Sequence, residues 1–310
     1  MLRYLPSPSL LLACVALILL PVPALADDDE RLSVVASFSI LADIAQHIGG
    51  ERISVQALVG PDEDAHAYQP RPSDARQVRD ADLLIANGLG FDTWLERLAL
   101  SAGRTRPLVL ASDGVAAIPH TGHAHHGHDH GALDPHAWQD VSHVRVYARN
   151  IAVALSAADE EHASYYHDRL AYYDAQLAQL DADIRAQVER IPPARRTVVT
   201  SHDAFGYFAA AYGLRFVPAT GVSEQAETSA AGMARLIRQL REEAVPVVFI
   251  ENISDSRLGE RIAQESNAAL GGTLYSDALS ASDGPAATYV DMMRANLRTL
   301  TRPLLDDAGE

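Results

Sequence analysis

Short apolar runs rich in β-branched residues alternate with stretches whose apolar residues return every three or four positions. Residues 32–38 read as a strand, 40–48 as a helix stopped by Gly49-Gly50, and 53–59 as a second strand. A helix beginning at Ser73 and strands over 82–87 and 107–111 follow. The same pattern returns later in the chain: strand 197–201, a helix from about Asp203 to Tyr212, strand 214–217, helix 230–243, and a very apolar strand 245–250. It closes with a helix over 256–270 ended by Gly271-Gly272, a last strand 273–276 and a helix 288–300. Strand–helix alternation of this kind predicts an α/β protein built on mainly parallel sheets flanked by helices.

Between the two halves the pattern changes. Residues 158–191 contain no breaker, and Tyr166, Leu170, Tyr173, Leu177, Leu180, Ile184, Val188 and Ile191 form one apolar stripe at helical spacing. Pro192-Pro193 stops it. A continuous helix here would be ~50 Å long, enough to join two lobes as a rigid connector. The predicted organisation is therefore an N-terminal α/β lobe over 27–157, a linking helix over 158–191 and a C-terminal α/β lobe over 192–310.

The first 26 residues stand apart. Arg3, a nearly pure apolar run over 10–20, Pro21-Val22-Pro23 and then Ala24-Leu25-Ala26 read as a secretory signal peptide, 1–26. Leu11-Leu12-Ala13-Cys14 resembles a lipoprotein box, but much apolar sequence follows Cys14 and the Ala-Leu-Ala site is better placed, so a soluble exported protein is expected. Cleavage after Ala26 leaves no cysteine, which removes disulfides and thiolate ligands. The chain has no lysine; its 25 basic residues are arginines, set against 41 acidic ones and a net charge of −16. That balance repels phosphate backbones and argues against nucleic acid as a partner.

Residues 120–130, HTGHAHHGHDH, hold His120, His123, His125, His126, His128 and His130 among small and polar neighbours. Such a tract has no apolar residue large enough to bury, and neutral imidazoles suit zinc, copper and nickel, so it points to metal capture. The bland alternative is a flexible polar linker. Elsewhere His66, His136 and His202 stand at loops, His202 directly after a strand, and Asp277 follows another. Ligands of open parallel sheets bind beyond the carboxyl ends of strands. The gaps of 70, 66 and 75 residues make no local chelate, so these four can act together only if the fold brings them into one cleft.

The segments EDAHAYQPRPSD, LDPHAW, TSHDAFGYF and LYSDALS, in this order, resemble the solute-binding proteins of zinc and manganese ABC importers, the ZnuA and TroA-like group. The short His tract and an aspartate in fourth place resemble its AztC-like zinc-binding branch. The resemblance implies two α/β lobes joined by one long rigid helix, with metal bound in the interlobe cleft by His66, His136, His202 and Asp277. Water or one of Asp62, Glu63 and Asp64 could replace Asp277. Manganese members usually carry glutamate where this chain has His202. Three imidazoles and one carboxylate suit tetrahedral zinc, and binding that needs neutral imidazoles should weaken as pH falls through ~6.5.

The function so implied is a periplasmic, high-affinity Zn2+ receptor, expected to be a monomer and not an enzyme. It would deliver zinc to an inner-membrane ABC permease and could be loaded by a periplasmic metal donor protein. His120, His123, His125, His126, His128 and His130 would collect metal weakly. Asp134, Asp140, Asp203 and Glu251 are candidates to orient the ligating rings, with Asp140 and Asp203 equally suited to cap helices. Trp138 suits packing in the cleft, and His47 a core or boundary position; His143, His162 and His167 suit helix surfaces. Residues 221–231 could be a lid that senses occupancy or an ordinary loop. The competing functions are a manganese receptor of the same fold and a secreted zinc hydrolase, although no His-Glu-x-x-His or Gly-x-Ser-x-Gly segment is present.

Overall fold

The computed structural model describes residues 31–120, 133–220 and 230–305. In the first lobe, strands β1 (Leu32–Phe38), β2 (Ile53–Val59), β3 (Leu83–Ala86) and β4 (Val109–Leu110) form a parallel sheet in the order β2-β1-β3-β4. In the second, β5 (Thr197–Thr200), β6 (Arg215–Pro218), β7 (Val247–Glu251) and β8 (Ala269–Leu274) repeat that order as β6-β5-β7-β8, again all parallel. Each sheet reverses its direction of winding beside its first strand. Such switch points open a crevice at the carboxyl edge, where side chains from several loops converge.

Helices α1 (Ser39–Gly49), α2 (Pro72–Asp80), α3 (Thr93–Ser101) and α4 (Val141–Ala158) belong to the first half. Helix α5 (Ala163–Glu189) packs against α1 and α4, and also against α6 (Gly206–Tyr212) and α9 (Tyr289–Leu305), so it ties the two lobes together. Helices α7 (Ala230–Glu242) and α8 (Ser256–Ser266) cover the second sheet. One apolar core includes Val34, Phe38, Trp138, Tyr147, Tyr173, Leu177, Phe208, Tyr289 and Met292, and so runs through both lobes and the connector. A smaller core of Val199, Val248, Leu240 and Ile262 lies under α7 and α8. Among the described residues no helix is long and apolar enough to cross a membrane.

Several element ends shift by a few residues from the sequence reading, the last strand among them (Ala269–Leu274 in place of 273–276), and two helices show why. The linking helix does not begin at 158: α4 ends there, a turn of 3-10 helix spans Glu160–His162, and α5 starts at Ala163. Asp159 stands at the break with φ −138° and ψ 77°, and its carboxylate accepts hydrogen bonds from Tyr166 Oη at 2.8 Å and His162 Nδ1 at 2.9 Å, which tie the break to the first turn of α5. At 27 residues the connector is about 40 Å long. Its stripe is nonetheless as expected: Tyr166, Tyr173, Leu177, Leu180, Ile184 and Val188 are buried.

Likewise the helix predicted over 256–270 stops at Ser266, where Asn267 takes a left-handed conformation (φ 63°) and its N–H bonds the Ala263 carbonyl. Gly271-Gly272 sit inside β8 instead. A Cβ on Gly271 would lie 2.3 Å from Phe249 Cε1, so glycine there serves close packing and not chain termination.

Candidate metal centre

The segment carrying His66 leaves β2 through a tight loop. Asp62 adopts φ 56°, and Glu63 Oε2 accepts from Gly60 N–H at 2.9 Å. Asp64 Oδ1 accepts from His66 N–H at 2.8 Å, and Trp94 Nε1 donates to the Ala65 carbonyl at 3.2 Å. These bonds use Glu63 and Asp64 locally, while Asp62 Oδ1 accepts from Asn252 Nδ2 of the second lobe at 2.9 Å, and together they aim the His66 ring inward. It packs edge-on against Phe91, with ring centres 4.6 Å apart.

His136 is held from below by a buried polar network. Asn87 Nδ2 donates to the Pro135 carbonyl at 3.0 Å, and Asn87 Oδ1 accepts from Tyr147 Oη at 2.7 Å. Asp134 Oδ1 takes both the backbone N–H of His136 at 2.9 Å and its ring Nδ1 at 2.8 Å. With Nδ1 protonated toward Asp134, the Nε2 lone pair points into the cleft. His202 follows β5 beside Glu251: its backbone N–H donates to Glu251 Oε1 at 3.0 Å, and its Nδ1 lies 2.7 Å from Glu251 Oε2 as an ion pair.

Asp277, beyond the end of β8, faces all three rings. Its Oδ2 lies 3.1 Å from His66 Nε2 and 3.1 Å from His202 Nε2, and its Oδ1 lies 3.7 Å from His136 Nε2. His66 and His136 bring their Nε2 atoms within 3.2 Å of each other. One donor atom from each of the four residues lies within 4.8 Å of every other. His136, His202 and Asp277 are fully buried, and only the edge of His66 reaches solvent.

This arrangement fits a cation. Donors at the corners of a tetrahedron with bonds of ~2.0–2.1 Å stand about 3.3–3.4 Å apart, close to the separations above. Imidazole nitrogens with converging lone pairs repel one another unless a positive charge lies among them. Asp277 Oδ1 is buried without a hydrogen-bond partner among the described residues, although an unpaired buried oxygen is costly. Burial pushes the Asp277 carboxyl up, but the facing His202 and His136 outweigh it and hold the group well below the usual carboxylate range.

Of the candidate orienting groups, Asp134 and Glu251 do face ligand rings. Asp140 does not: it caps α4 by accepting from Ser142 N–H. Asp203 pairs with His120, Nδ1 to Oδ2 3.5 Å, and burial raises its pKa. His120 is thus beside the centre but outside the donor group, and His123, His125, His126, His128 and His130 lie outside the described residues. So do the signal peptide with Cys14 and positions 221–229. Trp138 is buried against Phe38 and Phe91, as its aromatic character suggested. His47 stacks on Tyr173 at the boundary of α1 and α5. Asn87 and Tyr147 escaped the sequence reading; an asparagine ending an apolar strand was the available signal.

The family described as "ZnuA: Zinc-uptake complex component A periplasmic" matches residues 34–302. The manganese-binding lipoprotein MntA of Halalkalibacterium halodurans is 34% identical over 278 residues, 90% of this chain and 90% of that protein. The iron-binding protein YfeA of Yersinia pestis is 32% identical over 276 residues, 89% of this chain and 87% of that protein. Among solved structures, the periplasmic zinc-binding protein TroA of Treponema pallidum superposes with a TM-score of 0.81 at 28% identity, covering 89% of this chain and 100% of that one. A family match over residues 34–302, with a relative at 34% identity over 90% of the chain and a superposition that covers the whole of TroA, makes this chain a member of the ZnuA/TroA family of solute-binding proteins of metal ABC importers.

Proposed function

We propose that the chain is an exported receptor that binds one Zn2+ through His66, His136, His202 and Asp277 and hands it to an inner-membrane ABC permease. The observation that carries this reading is the donor set: three imidazoles and one buried carboxylate converge with Nε2–Oδ separations of 3.1–3.7 Å. Nitrogen-rich four-coordinate sites suit zinc, whereas manganese prefers more oxygen donors and more ligands. The first lobe is proposed as 27–157, the connector as 158–191 with its helix beginning at 163, and the second lobe as 192–310. Signal-peptide cleavage would follow Ala26, leaving a soluble monomer in the periplasm.

His120, His123, His125, His126, His128 and His130 would act as a weak collector beside the centre, and a periplasmic donor protein could load the receptor. His120 supports this placement, since it reaches Asp203, the neighbour of His202. Deleting 120–130 should leave one tight equivalent in place and abolish only the weak binding.

A manganese receptor is the second reading, favoured by the manganese-binding relative at 34% identity. One experiment separates the two. Protein stripped with a chelator is reloaded from equimolar zinc and manganese, and its metal content is measured. The zinc reading requires one equivalent of zinc, lost in His66→Ala and His202→Ala; predominant manganese would overturn it.

A further inference from the structure

Asp277 follows a strand of the second lobe, yet the segment around it is fastened to the first. Trp138 Nε1 donates to the Ser276 carbonyl at 2.8 Å, and Gln139 Nε2 donates to the same oxygen at 2.7 Å. Leu279 N–H donates to Ser39 Oγ at 3.0 Å, and Asp62 N–H donates to the Leu279 carbonyl at 2.9 Å. Where α9 begins, Tyr289 N–H donates to Asp43 Oδ2 at 2.8 Å and Tyr289 Oη to the Trp138 carbonyl at 2.7 Å. Every partner in that set precedes the connector in sequence.

The bonds to Ser276 bear most directly on the metal centre. Trp138, Gln139, Ser276 and Asp277 are all fully buried, so water does not compete for these groups. Two N–H donors thus reach one carbonyl oxygen, which has two lone pairs to offer. That restrains the plane of the peptide joining Ser276 to Asp277, and with it the place of the Asp277 Cα from which the side chain leaves the backbone. The same short stretch, 134–139, supplies the ligand His136 and the acid that orients its ring.

We infer that Trp138 and Gln139 are positioning residues for the fourth metal ligand: from the first lobe they clamp the Ser276 carbonyl and so set where the Asp277 carboxylate meets the three imidazoles. This rests on the reading of His66, His136, His202 and Asp277 as a metal site. A clamped carboxylate presents one oxygen at a tetrahedral corner. A freed one can swing to bind through both oxygens or admit water, which raises the coordination number and favours metals other than zinc.

The test uses Trp138→Phe, which keeps a ring but loses the indole N–H, Gln139→Met, which keeps chain length but loses the amide, and the double variant. Co2+ is the spectroscopic probe and Zn2+ the affinity probe, read by visible absorption and by chelator competition. The wild type should give the intense visible bands of four-coordinate cobalt. The double variant should give weaker bands of higher coordination and bind zinc about 10–100-fold less tightly, the usual scale for losing an outer-shell partner. Apo thermal unfolding should stay cooperative. A folded double variant with wild-type cobalt bands and zinc affinity would overturn the clamp. If the double variant does not fold, the single variants decide: each should shift both readouts in the same direction by a smaller amount, and wild-type behaviour in both singles would overturn it. A wild type that takes up neither ion would overturn the metal-site reading itself, an outcome visible before any variant is made.

Discussion

At the scale of single residues, the chemistry is concentrated in four donors and the acids behind them. Asp134 accepts from both the Nδ1 and the backbone N–H of His136 and so fixes ring tautomer and position; Glu251 accepts from the backbone N–H of His202, and its second oxygen stands 2.7 Å from that ring's Nδ1 as an ion pair. Glu251→Gln is expected to weaken zinc binding about 10–100-fold, as measured by chelator competition, while sparing the other three donors. An unchanged affinity would show that Glu251 does not orient His202. Asn87→Leu should act more weakly in the same direction, because it releases the Pro135 carbonyl beneath His136. The four donors were legible in the sequence only as members of an ordered set of short segments. Nothing local marked them, since gaps of 66 to 75 residues make contact a property of the fold. Asp134 and Glu251 were nameable from their closeness to ligands or strand ends, but the same signal equally offered Asp140 and Asp203, which have other partners. Asn87 and the two donors on Ser276 could not be read, because their partners lie 48 and more residues away.

At the scale of elements, strand periodicity was plain because buried parallel strands are short apolar runs bounded by turn residues. Helix limits were less so. Asp159 is compatible with a helix interior, and nothing in its neighbours announces the extended backbone with which it separates α4 from α5. Helix α4 itself carried a signal that was passed over: Val141, Val144, Tyr147, Ala148, Ile151, Ala152 and Leu155 are spaced to form one buried face behind an Asp140 cap.

Two predictions belong at this scale. Arg104 is buried and donates to the Val78 and Ala81 carbonyls at 2.8 and 2.7 Å and to that of Asp82 at 3.2 Å, closing the carboxyl end of α2. Arg104→Met strands those carbonyls and should destabilise the apo protein by about 1–3 kcal/mol in urea unfolding. The second concerns His47, which links α1 to α5 by stacking on Tyr173, while Asp43 holds the start of α9. The Asp43 side chain raises the pKa of His47 against the opposing effect of burial. A raised folded value means that its stabilisation is present in full below about pH 6.5 and fades as pH rises through the higher folded pKa. The stability difference between wild type and His47→Gln should therefore be larger at pH 5.5 than at pH 8.5; the reverse order would remove this role.

At the scale of the whole molecule, one core through both lobes and the connector argues for a body that holds its cleft nearly formed. The α/β class, the two sheets and the joining helix were all legible, because each follows from periodicity and from the breakers at its ends. The fastening of segment 276–289 to the first lobe was not, since it depends on hydrogen bonds between residues more than 130 positions apart. Metal binding to a nearly formed cleft should stabilise the native state by mass action, about 2.7 kcal/mol at a free-metal concentration of 100 Kd. That appears as a concentration-dependent rise in Tm, absent in Asp277→Ala.

The most direct measurement is a crystal structure of the zinc-loaded protein with anomalous diffraction collected at the zinc edge. One strong peak is expected in the cleft, about 2.0–2.2 Å from Nε2 of His66, His136 and His202 and from a carboxylate oxygen of Asp277. A cleft with no peak, or a tightly held ion bound elsewhere with these side chains unliganded, would contradict the account.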